Sequence, residues 1–302
     1  GTAMSTRGRS LLSRSGSSKD RAAELPVGSN KTWNKLVIAI LFLVLSVVFL
    51  IPIYWMVVSS MRPQGELFTQ TVNLSPTGLS LDNYVRLFEE QPYARWFINS
   101  VTQSLGFAAL TVAICTMAGY ALAKFKFRGN NFIFFGVLIS QMIPFHLLIV
   151  SLFVLIIDLG LKETYWGAII PLAASPIGLF FMRVYCTSIN DEMIDSARVD
   201  GASEYRIFWS IALPNLRPGL ATMFILFSLE YWNNLLWPLI VFLDKQNMPL
   251  AVGLAGIVNQ YRVSYDLLLA GSALATVPII ILFIFLRRQF MEGASFTGTG
   301  VQ

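Results

Sequence analysis

The sequence predicts an all-α integral membrane protein: six transmembrane helices, with a cytoplasmic helical elbow between the fourth and fifth. Three observations predict it. Hydrophobic residues make up 55% of the 302 residues and charged residues 13%, about half the charged share that coats a soluble domain. Six stretches are near or above the roughly 20 apolar residues that a spanning helix needs. Lysine and arginine fall unevenly among the segments that join those stretches.

The elements follow in order. Gly1-Thr2-Ala3 ahead of Met4 reads as a cloning remnant, and residues 1–31, rich in Ser, Arg and Gly, as a disordered cytoplasmic tail. A transmembrane domain is expected over 32–290, with spans near 36–61, 96–123, 129–157, 164–182, 218–243 and 267–286, and a short cytoplasmic tail over 291–302. The first apolar run is too long for a signal-peptide core and has no small-residue cleavage site after it, so it is expected to stay as an anchor. Prolines inside several spans are tolerated only where neighbouring helices or a wet cavity satisfy the freed carbonyls. A packed bundle is therefore expected.

With the amino terminus inside, the inner segments hold sixteen Lys and Arg and the outer loops six. Basic residues are retained on the cytoplasmic side, so both termini are placed there. The net charge of +5 then needs no nucleic acid to explain it. Trp33, Tyr54, Trp55, Trp96 and Trp166 read as interfacial anchors. Cys115 and Cys186 show neither a disulfide framework nor metal-ligand spacing.

Two outer loops, 62–95 and 244–266, are long enough to meet something outside. The first contains LDNYVRLF (81–88), in which Leu81, Tyr84, Val85 and Phe88 share a helical face suited to the membrane surface or a partner.

The segment DSARVDGASEYRIFWSIALP (195–214), part of a loop over 188–214, is polar and lies between apolar spans. Ser188 with Asp191 fits a helix-start box, and Asp191, Glu192 and Asp195 suit the positive end of a helix. Gly201 permits a sharp turn. A second helical piece then sets Tyr205, Phe208, Trp209 and Ala212 on one face, and Leu213-Pro214 ends it. Periodicity alone leaves two uses open, an interfacial helix on the headgroups or a docking knob.

The spacing of Asp195-Ser196-Ala197, three residues, Gly201, nine residues, then Ile211-Ala212-Leu213-Pro214 resembles the EAA loop of ABC importer permeases, E-A-A-x3-G-x9-I-x-L-P. Asp195 replaces the usual Glu and Ser196 the first Ala, keeping charge and small size. GYALAKFKFRGN (119–130), LDNYVRLF, MIPFHLLIV (142–150), LGLKETYWG (159–167) and EYWNNLLWPLIV (230–241) are similar to the smaller permease of maltose-type carbohydrate importers. RRQFMEGASFTG resembles that family's carboxyl-terminal tail loosely.

The resemblance implies a multi-pass inner-membrane permease that is not itself an enzyme. It implies a coupling helix in which Asp195, Ser196, Ala197, Gly201, Tyr205, Phe208, Ile211, Leu213 and Pro214 meet an ATPase. The implied partners are a related second permease, two ATP-binding cassette subunits, an extracytoplasmic solute-binding protein and membrane lipid. No phosphate loop G-x-x-x-x-G-K-[ST] occurs, so ATP and Mg are expected on the partner subunits, with no cofactor, catalytic residue or metal on this chain.

Glu230, Asn233, Asn234 and Trp237 are spaced to form one polar-aromatic stripe inside the fifth span. The stripe suits a translocation pathway, where amides and carboxylates bond sugar hydroxyls, and equally a hydrogen-bonded helix–helix cluster. His146 stands alone and is expected to bond a carbonyl freed by Pro144. A polyol or glycerol-phosphate substrate remains an alternative to a carbohydrate. A secondary transporter is less favoured, because no internally repeated halves are evident. A receptor remains a further alternative; against a membrane enzyme, neither a histidine pair nor a nucleophile elbow G-x-S-x-G occurs.

Overall fold

The computed structural model describes residues 31–67, 75–259 and 262–298. The expected tail therefore lies outside the described residues up to residue 30, as do parts of both outer loops and residues 299–302. The chain divides into two units at Ile53/Tyr54. The first holds most of α1 (Lys31–Ser60), whose side chains from Leu36 to Tyr54 include an almost continuous run of exposed large apolar groups. Its apolar stretch of 26 residues is about 39 Å long, enough to cross a hydrocarbon core of about 30 Å.

In the second unit, α2 (Gln64–Leu67) and α3 (Asp82–Glu90) precede α4 (Tyr93–Lys124), the long helix against which four later helices pack most closely. Then come α5 (Asn130–Ser140), α6 (Phe145–Asp158), α7 (Tyr165–Ala173) and α8 (Pro176–Thr187). The elbow follows as α9 (Asp191–Val199) and α10 (Glu204–Ile207), continuing through a π-helical turn, Phe208–Ala212, into α11 (Leu213–Asn215). The chain returns through α12 (Arg217–Trp232), α13 (Leu236–Val241), α14 (Leu250–Ile257), the two-residue strands β1 (Val258–Asn259) and β2 (Arg262–Val263), and α15 (Tyr265–Gly298). The antiparallel β1–β2 pair is the one departure from an all-helical chain among the described residues.

Among the described residues, three helices are long and apolar enough to span: α1, α4 and α15. Two of the other expected spans, 129–157 and 164–182, are bent pairs, while the fifth, 218–243, is divided between α12 and α13, and the third bend lies where the elbow enters α12. α5 and α6 meet at 97°, α7 and α8 at 55°, and α12 departs at 75° from the helical run 204–215 before it. Proline explains where two of these breaks fall. Pro144 precedes α6 and Pro176 opens α8, and a residue before proline is pushed out of the helical region. Ser175 covers the second break by accepting from the Gly178 amide at 3.2 Å.

Close approach of α8 to α4 depends on glycine. A Cβ at Gly119 would stand 2.8 Å from both Met182 Cβ and the Arg183 nitrogen, and one at Gly178 would stand 2.8 Å from Cys115 Sγ. Without a hydrophobic drive between helices in lipid, such small-residue contacts bring backbones within packing range. The core around them takes Phe107, Cys115 and Tyr120 from α4, Met182 and Cys186 from α8, and Met223, Phe227 and Tyr231 from α12. Both cysteines are free and buried.

At the other end, Leu87, Tyr93, Trp96, Leu250 and Leu267 form a second cluster. Arg86 on α3 reaches Asp266 on α15 at 2.7 Å. Of the LDNYVRLF face, Leu81, Val85 and Phe88 are exposed, whereas Asn83 and Leu87 pack inward.

The outer segment 244–266 is less a loop than expected. Its first residues fold back onto α4: Trp96 Nε1 donates to Lys245 O at 2.8 Å, and Asn99 Nδ2 to Gln246 O and Met248 O, each at 2.8 Å. Trp96 is thus buried and bonded inside the protein, not an interfacial anchor. The expected carboxyl-terminal tail, where described, continues α15 without a break to Gly298. His146 is exposed on the first turn of α6 and bonds no carbonyl among the described residues. Pro144 ends the preceding turn, so its missing amide belongs to a helix start, where no intrahelical bond is lost.

Candidate coupling site

The elbow is built by its caps. Asn190, not Ser188, caps α9, its Oδ1 accepting from the Glu192 amide at 2.9 Å. Ser188 instead closes the end of α8, donating to Tyr185 O at 2.7 Å. At the far end of α9, Gly201 takes φ +81°. Its amide donates to Arg198 O, and the next amide, Ala202, donates to Ala197 O, both at 3.0 Å. This paired arrangement is a Schellman motif, which favours an apolar contact across the turn. Ala197 and Ala202 occupy the two positions such a contact joins, and both are partly buried against the core. The motif spacing acquires a physical meaning here: a small residue four positions before the glycine lets the turn fold back tightly.

Beyond the turn, Ser203 caps α10 by accepting from the Arg206 amide at 3.3 Å. Arg198 then locks the two helices. It donates to Asp195 at 2.8 Å and to both oxygens of Glu204, at 2.6 and 3.2 Å. Glu204, foremost, with Asp195 raises the Arg198 pKa above its ordinary value. The i, i+3 spacing of Asp195 and Arg198 is the signal in the sequence that points to this clamp.

The expected aromatic face divides. A π turn carries more than 3.6 residues, so positions that would align on an α-helix drift apart. Tyr205 and Trp209 are outward, 75% and 49% exposed, with ring centroids 6.0 Å apart. Phe208 turns inward against Tyr120 of α4 at 5.1 Å, and Ala212 is fully buried. Val199, 86% exposed, adds to the apolar outward surface. Asp195 and Ser196 are exposed, while Ile211, Leu213 and Pro214 are half-buried. Leu213-Pro214 does not stop the helix: Pro214 sits in the first turn of α11, and the break comes at Leu216. The residues that root the elbow are Ile194, Ile207 and Leu216, at most 2% exposed. The motif does not name them.

The elbow is also tied to α4. Lys124 Nζ donates to Ile189 O and to Asp191 Oδ1, both at 2.6 Å. Through that hydrogen bond Lys124 holds the Asp191 carboxyl below its ordinary pKa. A cavity of about 300 Å³ lies between Lys124–Lys126 and the elbow residues Ile194, Asp195 and Arg198.

The fifth-span stripe does not form as one row. α12 ends at Trp232, and Asn233 donates back to Leu229 O at 2.8 Å. Glu230 and Asn233 are exposed and Asn234 half-buried. Trp237, on the separate helix α13, is wholly buried edge-on to Phe145, centroids 6.0 Å apart. A polar ladder on α4 went unseen in the sequence: Tyr165 donates to Asn99 at 2.6 Å, and Tyr231 to Gln103 at 3.1 Å.

Long apolar helices, two bent apolar pairs and an elbow ending in exposed aromatic rings define a polytopic membrane protein with one end shaped for a further contact. The chain belongs to the binding-protein-dependent transport system inner membrane component family, whose model matches residues 115–292. Its members are ABC transporter permease subunits, which are not themselves enzymes. The chain is 44% identical over 250 residues to the arabinooligosaccharides transport system permease protein AraQ of Halalkalibacterium halodurans, covering 82% of this chain and 90% of that protein. It is 38% identical to AraQ of Bacillus subtilis, over 87% and 95% of the two chains. It is 30% identical to the lactose transport system permease protein LacG of Rhizobium radiobacter, over 80% and 88%. Its fold matches a chain of a bacterial ABC transporter involved in the import of the acidic polysaccharide alginate, with TM-score 0.75, 21% identity and coverage of 86% and 98%.

Proposed function

We propose that this chain carries a carbohydrate, in the first instance a short oligosaccharide, through the cytoplasmic membrane of an ATP-driven importer. The observation that carries the reading is the elbow: Val199, Tyr205 and Trp209 are held outward on a turn fixed by the Gly201 cap and the Arg198 clamp. Apolar rings locked onto a rigid support suit a protein groove better than a fluctuating headgroup layer. The elbow is accordingly the coupling helix, seated on an ATP-binding cassette subunit that holds ATP and Mg. Both termini and the elbow face the cytoplasm, in keeping with the sixteen-to-six distribution of basic residues.

ATP-driven closure of two such subunits carries the elbows with it, and the bundle switches between inward-open and outward-open states. The coupling requires contacts that differ between the two states. A second, related permease completes the pathway. Glu230 and Asn233, exposed on one end of α12, and the adjoining Asn234 line it, while buried Trp237 shapes its wall from α13. A solute-binding protein docks on the outer segments 62–95 and 244–266. The relatives named for arabinooligosaccharides and lactose support the substrate class. A relative named for sn-glycerol 3-phosphate, at 27% identity, supports the alternative.

The test is reconstitution of the chain with its co-purifying subunits in proteoliposomes. ATP-dependent uptake of arabino- or malto-oligosaccharides, delivered by the binding protein, is expected. Uptake of glycerol phosphate alone selects the alternative. ATP-independent uptake by this chain alone refutes the importer reading.

A further inference from the structure

A cavity of about 530 Å³ opens at the elbow end of the bundle, between the end of α4, the start of α5 and α8. Lys126, Phe127, Arg128, Asn130, Asn131 and Arg183 line it, and no carboxylate does. Three cations around one open space repel one another, and an anion placed among them offsets that repulsion. Lys126 and Arg128 are exposed and make no hydrogen bond or close ion pair among the described residues, although Lys126 also borders the neighbouring cavity and acts at longer range on Asp191 there.

Arg183 is set in place beforehand. Its guanidinium carbon lies 3.8 Å from the Phe134 ring centroid, and Nη2 donates to Asn131 at 2.9 Å and Asn130 at 3.3 Å. The remaining guanidinium donors, Nη1 and Nε, are unused among the described residues. A fixed fork with spare N–H groups is the geometry that phosphate oxygens favour.

The apolar surface of the same helix suits an anion that carries hydrocarbon. Phe132, Phe135 and Ile139, at i, i+3 and i+7 on α5, are all exposed, Phe132 at 83%. They follow the cavity-lining Asn130 and Asn131 along α5, a helix of the bent apolar pair α5–α6. A phosphate group followed by hydrocarbon chains matches that order of surfaces. An acidic protein surface matches the cations but leaves the phenylalanine row uncovered.

We infer that Lys126, Arg128 and Arg183 form a binding site for the headgroup of an anionic phospholipid, whose acyl chains lie along Phe132, Phe135 and Ile139. Basic pockets between membrane helices are a recurring solution for such headgroups.

The experiment is native mass spectrometry of the assembled complex titrated with phosphatidylglycerol, with phosphatidylcholine as the uncharged comparison. Wild type is expected to retain phosphatidylglycerol. Lys126→Gln with Arg128→Gln is expected to weaken retention roughly thirtyfold, from the usual contribution of each basic residue. Lys126→Arg with Arg128→Lys should keep it, and Phe132→Ser with Phe135→Ser should weaken it with the charges intact. Arg217→Gln, a cation removed elsewhere, should leave it unchanged. Equal retention by the glutamine variant overturns the site. Displacement by inorganic phosphate assigns it to a free anion, and loss of ATPase subunits with the lipid retained assigns the cations to a protein contact; either overturns the inference.

Discussion

Arg198 and Glu204 are joined across the Gly201 turn by two hydrogen bonds, 2.6 and 3.2 Å long. Both side chains are more than a third exposed, so the pair contributes about 1 kcal/mol or less to stability. Its larger effect is on angle, because it fixes α10 relative to α9. Glu204→Gln and Arg198→Met are therefore expected to leave thermal unfolding almost unchanged. They should lower the ATPase stimulation that accompanies transport, measured in proteoliposomes with the full complex.

Gly201 offers a different probe. Nothing lies within 4 Å of a Cβ built there, so a substitution meets no clash, only the left-handed backbone at φ +81°. That conformation costs a residue with a side chain about 1–2 kcal/mol, less for Asn and more for a β-branched residue. Uptake is expected to fall in the order Gly, Asn, Ala, Val at position 201, while membrane insertion, read by protease protection of the loops, stays constant. A valine variant with full uptake and full ATPase stimulation would remove the coupling role from this turn.

The Lys124–Asp191 contact sets a pH expectation. Because the folded Asp191 carboxyl is depressed, its contribution is present above the ordinary carboxylate pKa of about 3.9 and is lost as pH falls through the lower folded value. Hydrogen exchange at the start of α9 should therefore be independent of this pair from neutral pH to about pH 5, and accelerate in stronger acid. Asp191→Asn should exchange faster at neutral pH and lose that acid step.

Gly119 tests the packing of α4 on α8. A Cβ there falls 2.8 Å from Met182 Cβ and the Arg183 nitrogen, where backbone must shift. Overpacking typically costs about 1–3 kcal/mol. Gly119→Val is expected to lower the melting temperature and reduce recovery of intact complex by size-exclusion chromatography, and Gly119→Ala to do so less.

Glu230 is exposed on α12 with no hydrogen-bond partner among the described residues. Glu230→Gln is expected to reduce uptake severalfold while the complex assembles normally. Unchanged uptake with unchanged assembly excludes the residue from the pathway.

Much of the elbow's geometry is legible from residues alone, and the limits are physical. Gly201 marked the turn because only a backbone without Cβ enters that region freely. The cap was misplaced by two residues because Ser188 and Asn190 are both competent caps, and the end of α8 decides between them. The aromatic face was drawn on a 3.6-residue period, and the π turn at Phe208–Ala212 broke that period. The fifth-span stripe failed for a related reason: periodicity assumes one helix, but α12 stops at Trp232 and sends Trp237 into the core on α13.

Low charge, apolar length and a glycine at a fixed spacing act locally, so the residues alone specify that the chain crosses a membrane and where its elbow turns. Only the tertiary structure decided which side chains root the elbow, which of its rings face outward, and that α4 carries a polar ladder holding residues 245–248. Asn99 lies about 150 positions from the carbonyls it bonds. No local pattern encodes such a distant partner; it is chosen when packing in the bundle leaves a buried amide no other acceptor.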